Sequence, residues 1–352
     1  MIAQLDPDYL RARPLKAVTR VLSWALFEGR PVTTRGRWIN PFVFGLLAVA
    51  RRLPVRSVPS APLYIVGTGR SGTTILGKVL SLHPDVGFLN EPKAMWHAAV
   101  PGEDVIGSYD RGPARFRMDA DDVTPDAVRA LRRMFGVYAA VTGVRRIVDK
   151  YPELVFRVPL VRRVFPDARF IFLVRDGFDT VRSIDQWSDR LGVDEGDEVH
   201  DWWGVDDRKW RLMTEELVPA DPELGPVAGE IRSLDAHRDR AATEWIVTMR
   251  EGLSRRDEHP EAFRMVRYED LTRHPAETVA GLLQWSGLPE DRATLEYAGR
   301  TLHPVPRKEA VPLSSCIEPA FLAMMARLGY RRGEGSARSA GRASRPDPEI
   351  PD

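Results

Sequence analysis

The 352-residue chain predicts an α/β protein: a doubly wound parallel sheet with helices on both faces, preceded by an N-terminal helical extension. Three observations carry this. Short apolar runs without polar alternation read as strands buried on both faces, as parallel strands are. Stretches with helical spacing lie between those runs, and strand alternating with helix favours a parallel sheet. A glycine-rich turn joins the first run to the helix that follows, a junction where open α/β sheets place ligands.

The elements follow in order. Residues 1–57 form a basic extension, with ten Lys and Arg residues against three acidic ones. Helical patterns over Tyr9–Phe27 and Pro41–Leu53 carry apolar faces flanked by basic residues. That pattern fits either packing on the main domain or peripheral membrane contact through residues 9–53. The apolar run Pro41–Ala50 has ten residues, about half a bilayer span, so it is not a transmembrane helix. The opening MIAQLDPDYLRARP lacks the apolar core of a secretory leader.

Prolines 54, 59 and 62 mark a linker into the main domain, residues 58–330. Strands are predicted at Leu63–Val66, Gly87–Leu89, Ile147–Val148, Phe170–Val174 and Phe263–Val266. Helices are predicted at Thr73–Ser81, Pro125–Val141, Pro152–Phe165, Asp179–Asp189, Ala236–Arg255 and Pro275–Trp285. Residues 185–235 break the rhythm. They are acidic and hold Trp187, Trp202, Trp203 and Trp210, which fits a lid or acceptor-binding insertion as well as plain packing. The tail 331–352 lacks apolar residues and is expected to be disordered.

Composition narrows the function. A hydrophobic share of 43% supports a packed core and excludes global disorder. Lys plus Arg is 51 against 50 for Asp plus Glu, which argues against a bulk nucleic-acid binder. A single cysteine, Cys316, excludes an intrachain disulfide framework and points to a cytoplasmic protein, with membrane association left open by the extension. The seven histidines show no metal-ligand spacing, so no metal is expected.

The strongest local signal is LYIVGTGRSGTTILGKVL, Leu63–Leu80: strand, Gly-rich turn, helix. Such a junction aims unpaired backbone N–H groups at an anion. Gly69 and Gly72 permit close backbone approach, while Ser71, Thr73 and Thr74 add hydroxyl donors. The spacing is P-loop-like: Gly67, Gly72 and Thr74 fit GxxxxGK[ST]. The lysine position, however, is Thr73, and the nearby cation is Arg70. The loop suits a 5′-phosphate end but is poorly equipped for metal-assisted γ-phosphoryl transfer.

The second signal is ARFIFLVRDGFDTVRSI, Ala168–Ile184. Arg175 ends a strand, and Ser183 follows eight residues later on a helix. An arginine fork plus a hydroxyl suits a phosphate monoester, although a strand-end arginine also serves in ordinary ion pairs.

GTGRSGTT resembles the 5′-phosphosulfate-binding loop of sulfotransferases that use 3′-phosphoadenosine 5′-phosphosulfate (PAPS). VRDGFDTVRSI resembles their 3′-phosphate-binding segment, with Arg and Ser at the family's interval. The Arg70 form looks like the Golgi carbohydrate and protein-tyrosine branches and their bacterial relatives. HPDVGFLNEPKAMW, His83–Trp96, is similar to the carbohydrate branch. The resemblance spans about residues 62–330. It implies that the first loop, Arg175 and Ser183 bind the donor, with the basic loop at Arg307 and Lys308 closing over the 3′-phosphate.

The resemblance also places Glu91 where the tyrosine-sulfating branch has its general base. Chemistry agrees, since transfer to a hydroxyl needs a proton acceptor beside the nucleophile. A structural carboxylate paired with Arg70 is the other reading, and His97 is a weaker alternative base. Lys150 resembles a family lysine on the leaving group, or is a solvated strand-end lysine. PAPS carries roughly four negative charges near neutral pH. Arg70, Lys150, Arg175 and one of Arg307 and Lys308 would match them. The expected activity is sulfuryl transfer from PAPS to a hydroxyl of a carbohydrate, lipid or other small alcohol, releasing 3′,5′-ADP. The alternatives are a P-loop small-molecule kinase using ATP and a non-catalytic nucleotide-binding or membrane-associated scaffold. Trp96 and the insertion's tryptophans are candidates for the acceptor side, against ordinary core packing.

Overall fold

The five predicted runs form one parallel sheet. A computed structural model describes residues 4–32, 36–55, 57–191, 193–195 and 198–330, with the backbone alone for 188–191, 193–195, 198 and 199. The predicted disordered tail lies outside the described residues. The main strands are β1 (Leu63–Gly67), β2 (Val86–Asn90), β3 (Arg146–Lys150) and β4 (Arg169–Val174). A small antiparallel sheet follows, β5 (Val193–Glu195), β6 (Glu198–Asp201) and β7 (Gly204–Val205), before the last main strand, β8 (Phe263–Arg267). The main sheet has order β2-β3-β1-β4-β8, every pair parallel.

The apolar runs are continuous because both faces are covered. Tyr64 and Val66 point into one core with Trp96, Phe135 and Phe172. Leu63 and Ile65, alternating with them, enter a second core with Leu76, Val79, Leu282 and Tyr297. This period of two is what a doubly covered strand requires.

The helices are α1 (Pro7–Ala12), α2 (Pro14–Leu26), α3 (Asn40–Ala50), α4 (Thr73–Ser81), α5 (Lys93–Ala99), α6 (Pro125–Thr142), α7 (Val158–Val164) and α8 (Gly177–Leu191). Then come α9 (Arg208–Leu212), α10 (Ala228–Arg232), α11 (His237–Glu258), α12 (Tyr268–Arg273), α13 (Pro275–Ser286), α14 (Arg292–Thr301) and α15 (Glu318–Arg327). The helix predicted over Pro152–Phe165 opens as a 3₁₀ segment, Pro152–Arg157, before α7. The pattern over Tyr9–Phe27 is two helices. Pro14 starts the second, lacks an N–H to continue the first, and disfavours helical geometry at Arg13, whose φ is −150°.

The extension packs on the domain and covers the β2 edge. An edge strand exposes unpaired backbone groups, and here side chains meet them. Lys16 Nζ donates to the Val86 carbonyl, Arg20 to that of Phe88 at 3.4 Å, and Glu28 accepts from the Asn90 N–H at 2.8 Å. Arg20 and Glu28 are themselves a buried bidentate pair. Tyr9 anchors α1 by a 3.0 Å hydroxyl contact with Ser81 and an edge-on contact with Tyr297. No helix among the described residues is long and apolar enough to cross a membrane.

Candidate active site

The register decides which strand ends meet. Gly67 pairs with Leu173, and Asn90 with Lys150, so four strand ends open onto one edge of the sheet. A cavity of about 420 Å³ lies there, lined by Gly69, Arg70, Thr73 and Thr74 together with Glu91 and Lys150. The first motif and residues at the ends of β2 and β3, far apart in sequence, thus form its floor.

Glycine is needed at two positions of the turn. Gly67 has φ +141°, and an added Cβ would meet the Leu173 carbonyl oxygen at 2.5 Å. Gly72, at φ +97°, would drive a Cβ into the Tyr268 ring. Only glycine occupies such backbone without steric cost. Ser71 is buried and donates to the Thr68 carbonyl at 2.6 Å, so its hydroxyl braces the turn. Arg70 is left-handed at φ +67° without being glycine, and so is Glu91 at φ +53°. Strain of this kind concentrates at functional positions.

The turn is stitched to the second motif. Arg175 donates to the Arg70 carbonyl at 3.0 Å, and Arg70 Nε donates to Ser183 Oγ at 3.2 Å. Arg175 also lies 4.4 Å over the Tyr268 ring, and its buried Nε has no hydrogen-bond partner. Arg175 and Ser183 border the outer side of Arg70 and are not among the cavity-lining residues. Arg307 and Lys308 lie farther out. Arg307 lines a small separate recess with Asp179 and Tyr268, while the Lys308 N–H donates to Asp179 at 2.8 Å. That recess adjoins the helix carrying Ser183, because Arg182 donates to the Glu309 carbonyl at 3.0 Å.

Across the cavity, Glu91 is paired with Lys150 and lies 3.6 Å from Lys93, not against Arg70. Its backbone N–H donates to the Lys150 carbonyl at 2.7 Å, so the turn after β2 is fixed to the end of β3. Burial alone would raise the Glu91 carboxyl, but the charges of Lys150 and Lys93 outweigh it and hold it at about 2. Lys93 in turn bridges to Glu153 at 3.2 Å, making a neutral quartet of two lysines and two glutamates. Burial would lower Lys93, yet Glu153 and Glu91 push it upward. His97 faces elsewhere: its ring packs against Phe44 and Tyr109 and does not line the cavity.

The insertion divides its tryptophans. Trp203 and Trp210 are buried in the core. Trp187 and Trp202 line the cavity, edge to face at 5.3 Å. Trp202 lies on the turn so closely that a Cβ on Gly69 would meet its ring at 2.5 Å. Its Nε1 donates to Glu244 at 2.6 Å, and Lys209 donates to the same carboxylate at 2.7 Å while sitting 4.6 Å over the indole. Trp96 is core, donating to Asp149 at 2.9 Å.

Several lining residues escaped sequence reasoning. Lys93 stands two residues after Glu91, and the run NEPK carried that signal. Lys209 and Glu244 meet from 35 positions apart, and no local pattern announces them. Trp24, Glu28 and Arg30 of the extension also line the cavity.

Comparison with known proteins bears on this arrangement. A sequence model of the Sulfotransferase family matches residues 62–226, which include both motifs. The chain is 27% identical over 134 residues to protein-tyrosine sulfotransferase 1 of Danio rerio, covering 35% of this chain and 34% of the relative. It is 28% identical over 137 residues to the nodulation protein NoeE of Sinorhizobium fredii, covering 37% and 32%. The aligned stretch therefore spans about a third of the length of these curated relatives. Among solved structures, the sulfotransferase STF9 of Mycobacterium avium aligns over 92% of this chain and 91% of its own, at 16% identity and a TM-score of 0.45. The resemblance carried by the two motifs and the family match agree: residues 62–226 are a sulfotransferase-family segment.

Proposed function

We propose that this protein transfers the sulfuryl group of PAPS to a hydroxyl acceptor and releases 3′,5′-ADP. The observation that carries this reading is the junction of the two anion motifs through Arg70, whose carbonyl accepts from Arg175 and whose guanidinium reaches Ser183. A donor with a phosphate at each end suits that paired surface, and the unpaired Arg175 Nε offers a further donor atom. Thr73 in the lysine position of an ATP loop weighs against the kinase alternative.

In this reading the 5′-phosphosulfate lies along the Gly69–Thr74 turn and the start of α4, facing Lys150. The acceptor oxygen attacks sulfur, and the bond from sulfur to the bridging oxygen of the 5′-phosphate breaks. Its electron pair leaves on that oxygen, stabilised by Arg70, Lys150 and the turn's N–H groups. Glu91 takes the hydroxyl proton. At about 2 its carboxyl is a weak base, and the ideal base lies nearer the working pH. The donor's anionic group supplies the correction. By drawing Lys150 toward itself it removes the charge that most depresses Glu91, so basicity rises when the donor is in place. Trp187 and Trp202 give the acceptor an aromatic wall, which suits a sugar ring or another small alcohol.

The test is mass spectrometry of candidate alcohols and glycans incubated with PAPS, with Glu91→Gln as control. A gain of one SO₃ group is expected, with transfer about 10²- to 10⁴-fold slower in the variant. Equal rates in both proteins would remove Glu91 from the role. Failure of the wild type to bind 3′,5′-ADP in calorimetry would remove the donor.

A further inference from the structure

Twelve large apolar side chains stand exposed among the described residues, and nine of them fall between Leu10 and Leu53. The concentration is sharpest on α3. Its solvent side presents Phe42 (58% exposed), Leu46 and Val49 (56%), continued by Leu53, at the spacing of one helical face. No residue from Pro41 to Ala50 is charged or polar. Its opposite side, Val43, Leu47 and Ala50, is buried in the core, so the helix is apolar all round although half of it faces outward. Ordinary surface helices turn charged residues to solvent. Trp38, just before α3, is 85% exposed, and Leu15 on α2 is 82% exposed. Helices α2 and α3 touch each other and both touch α6, so the two helices lie together on one flank.

We propose that this flank docks on an anionic lipid bilayer. Charge selects the occupant. The first 57 residues hold ten basic and three acidic residues, although the whole chain is nearly neutral. Two of those acids are committed inward, Asp6 to Lys78 and Glu28 to Arg20, and the third, Asp8, is paired with Arg11. The apolar face is thus bracketed in sequence by Arg37, Arg51 and Arg52, and each of the extension's three acids is already paired. A second copy of this chain would set one basic rim against another. An anionic headgroup layer complements both the rim and the apolar centre, and an exposed tryptophan fits its boundary. At eleven residues α3 lies in such an interface and does not span it. Trp24, Gly29 and Arg30 of the same extension line the cavity, so the docked segment is continuous in sequence with one cavity wall. The inference does not depend on the transferase reading.

The experiment is flotation of the full chain with vesicles of phosphatidylcholine alone or of equal parts phosphatidylcholine and phosphatidylserine, alongside light scattering. The wild type is expected to float with the anionic vesicles and to be partly released by salt. The double variant Phe42→Glu, Val49→Glu should bind at least about tenfold more weakly, with unchanged melting and 3′,5′-ADP binding. If that variant does not fold, Arg37→Glu with Arg52→Glu, which removes no apolar group, should abolish the preference for anionic vesicles. A wild type that stays unbound, or a folded variant that floats equally well, overturns the proposal. So does a wild-type dimer that the variant splits, which would assign the face to a second copy.

Discussion

The two ends of the cavity are built differently. The end proposed to hold the donor is the first motif, braced from outside the cavity by the second, each a strand, a tight turn and the start of a helix, joined through Arg70 to Arg175 and Ser183. The other end is assembled from single residues: Trp24 and Arg30 from the extension, Lys93 from the start of α5, Glu153 from the 3₁₀ segment after β3, Lys209 and Trp202, which reaches over to Gly69, from the insertion, and Glu244 from α11. A backbone cradle is specified by glycines and by what a strand–helix turn can do, so its chemistry is fixed with its fold. The other end is specified by side chains that tertiary packing brings together from separate elements. Under the proposed function, this division permits one donor to be used with different acceptors.

The sharpest way to break that contrast is Arg175→Ala. If the donor end works as a unit, losing the guanidinium removes both a phosphate ligand and the brace on the Arg70 carbonyl. Affinity for 3′,5′-ADP should fall about 100-fold, equivalent to about 2.7 kcal/mol and within the range for truncating one partner of a desolvated charge pair. Binding of ATP with magnesium, which has no 3′-phosphate, should change far less. Calorimetry with both nucleotides on both proteins decides it. A parallel fall in the two affinities, or stronger binding of ATP to the wild type, removes the assignment of Arg175 to a 3′-phosphate.

The same contrast explains what could be read from the sequence. All five strands of the main sheet and α4 are where the apolar runs placed them, because burial on both faces leaves an unambiguous pattern. Lys150 and Glu91 were legible as strand-end residues, and their pairing follows from parallel register. The extension's role on the β2 edge was not. Lys16, Arg20 and Glu28 read as charges on an amphipathic helix, and nothing local says that they meet backbone groups of a strand 62 to 70 residues away. Helices α5, α14 and α15 were missed as well. The first has only seven residues, and a short apolar run carries little periodicity.

Trp202→Ala probes the other end. Its indole covers Gly69 and is held by Glu244 and Lys209, so its loss should open the acceptor side while leaving the strand ends in place. An acceptor KM about tenfold higher is expected, with donor affinity within about threefold of wild type. An equal loss in both constants would mean that the insertion holds the donor as well, and the division drawn above would fail.

The smallest expected effect on ligand binding separates chemistry at either end from stability of the strand beneath both. Asp149 precedes Lys150 in β3, is fully buried, and accepts from Trp96. Burial raises its carboxyl to about 8, with the Trp96 hydrogen bond and Lys150 opposing. The folded protein therefore keeps a proton that the unfolded chain releases near 3.8, so this group's contribution falls as pH rises from about 4 to 8. Glu103, raised by burial to about 7, acts with the same sign. Glu91 acts oppositely and at lower pH: its stabilisation is complete above 4.5 and is lost as pH falls toward 2. Asp149→Asn keeps an acceptor for Trp96 and removes the titration. Its unfolding free energy, followed by melting, should gain on the wild type steadily between pH 5 and 8, by at most about 1.4 kcal/mol per pH unit. The slope should flatten without vanishing, because Glu103 remains, and 3′,5′-ADP binding should not change. Parallel melting curves across that window would mean that Asp149 is already charged in the folded protein, with Lys150 shared between it and Glu91.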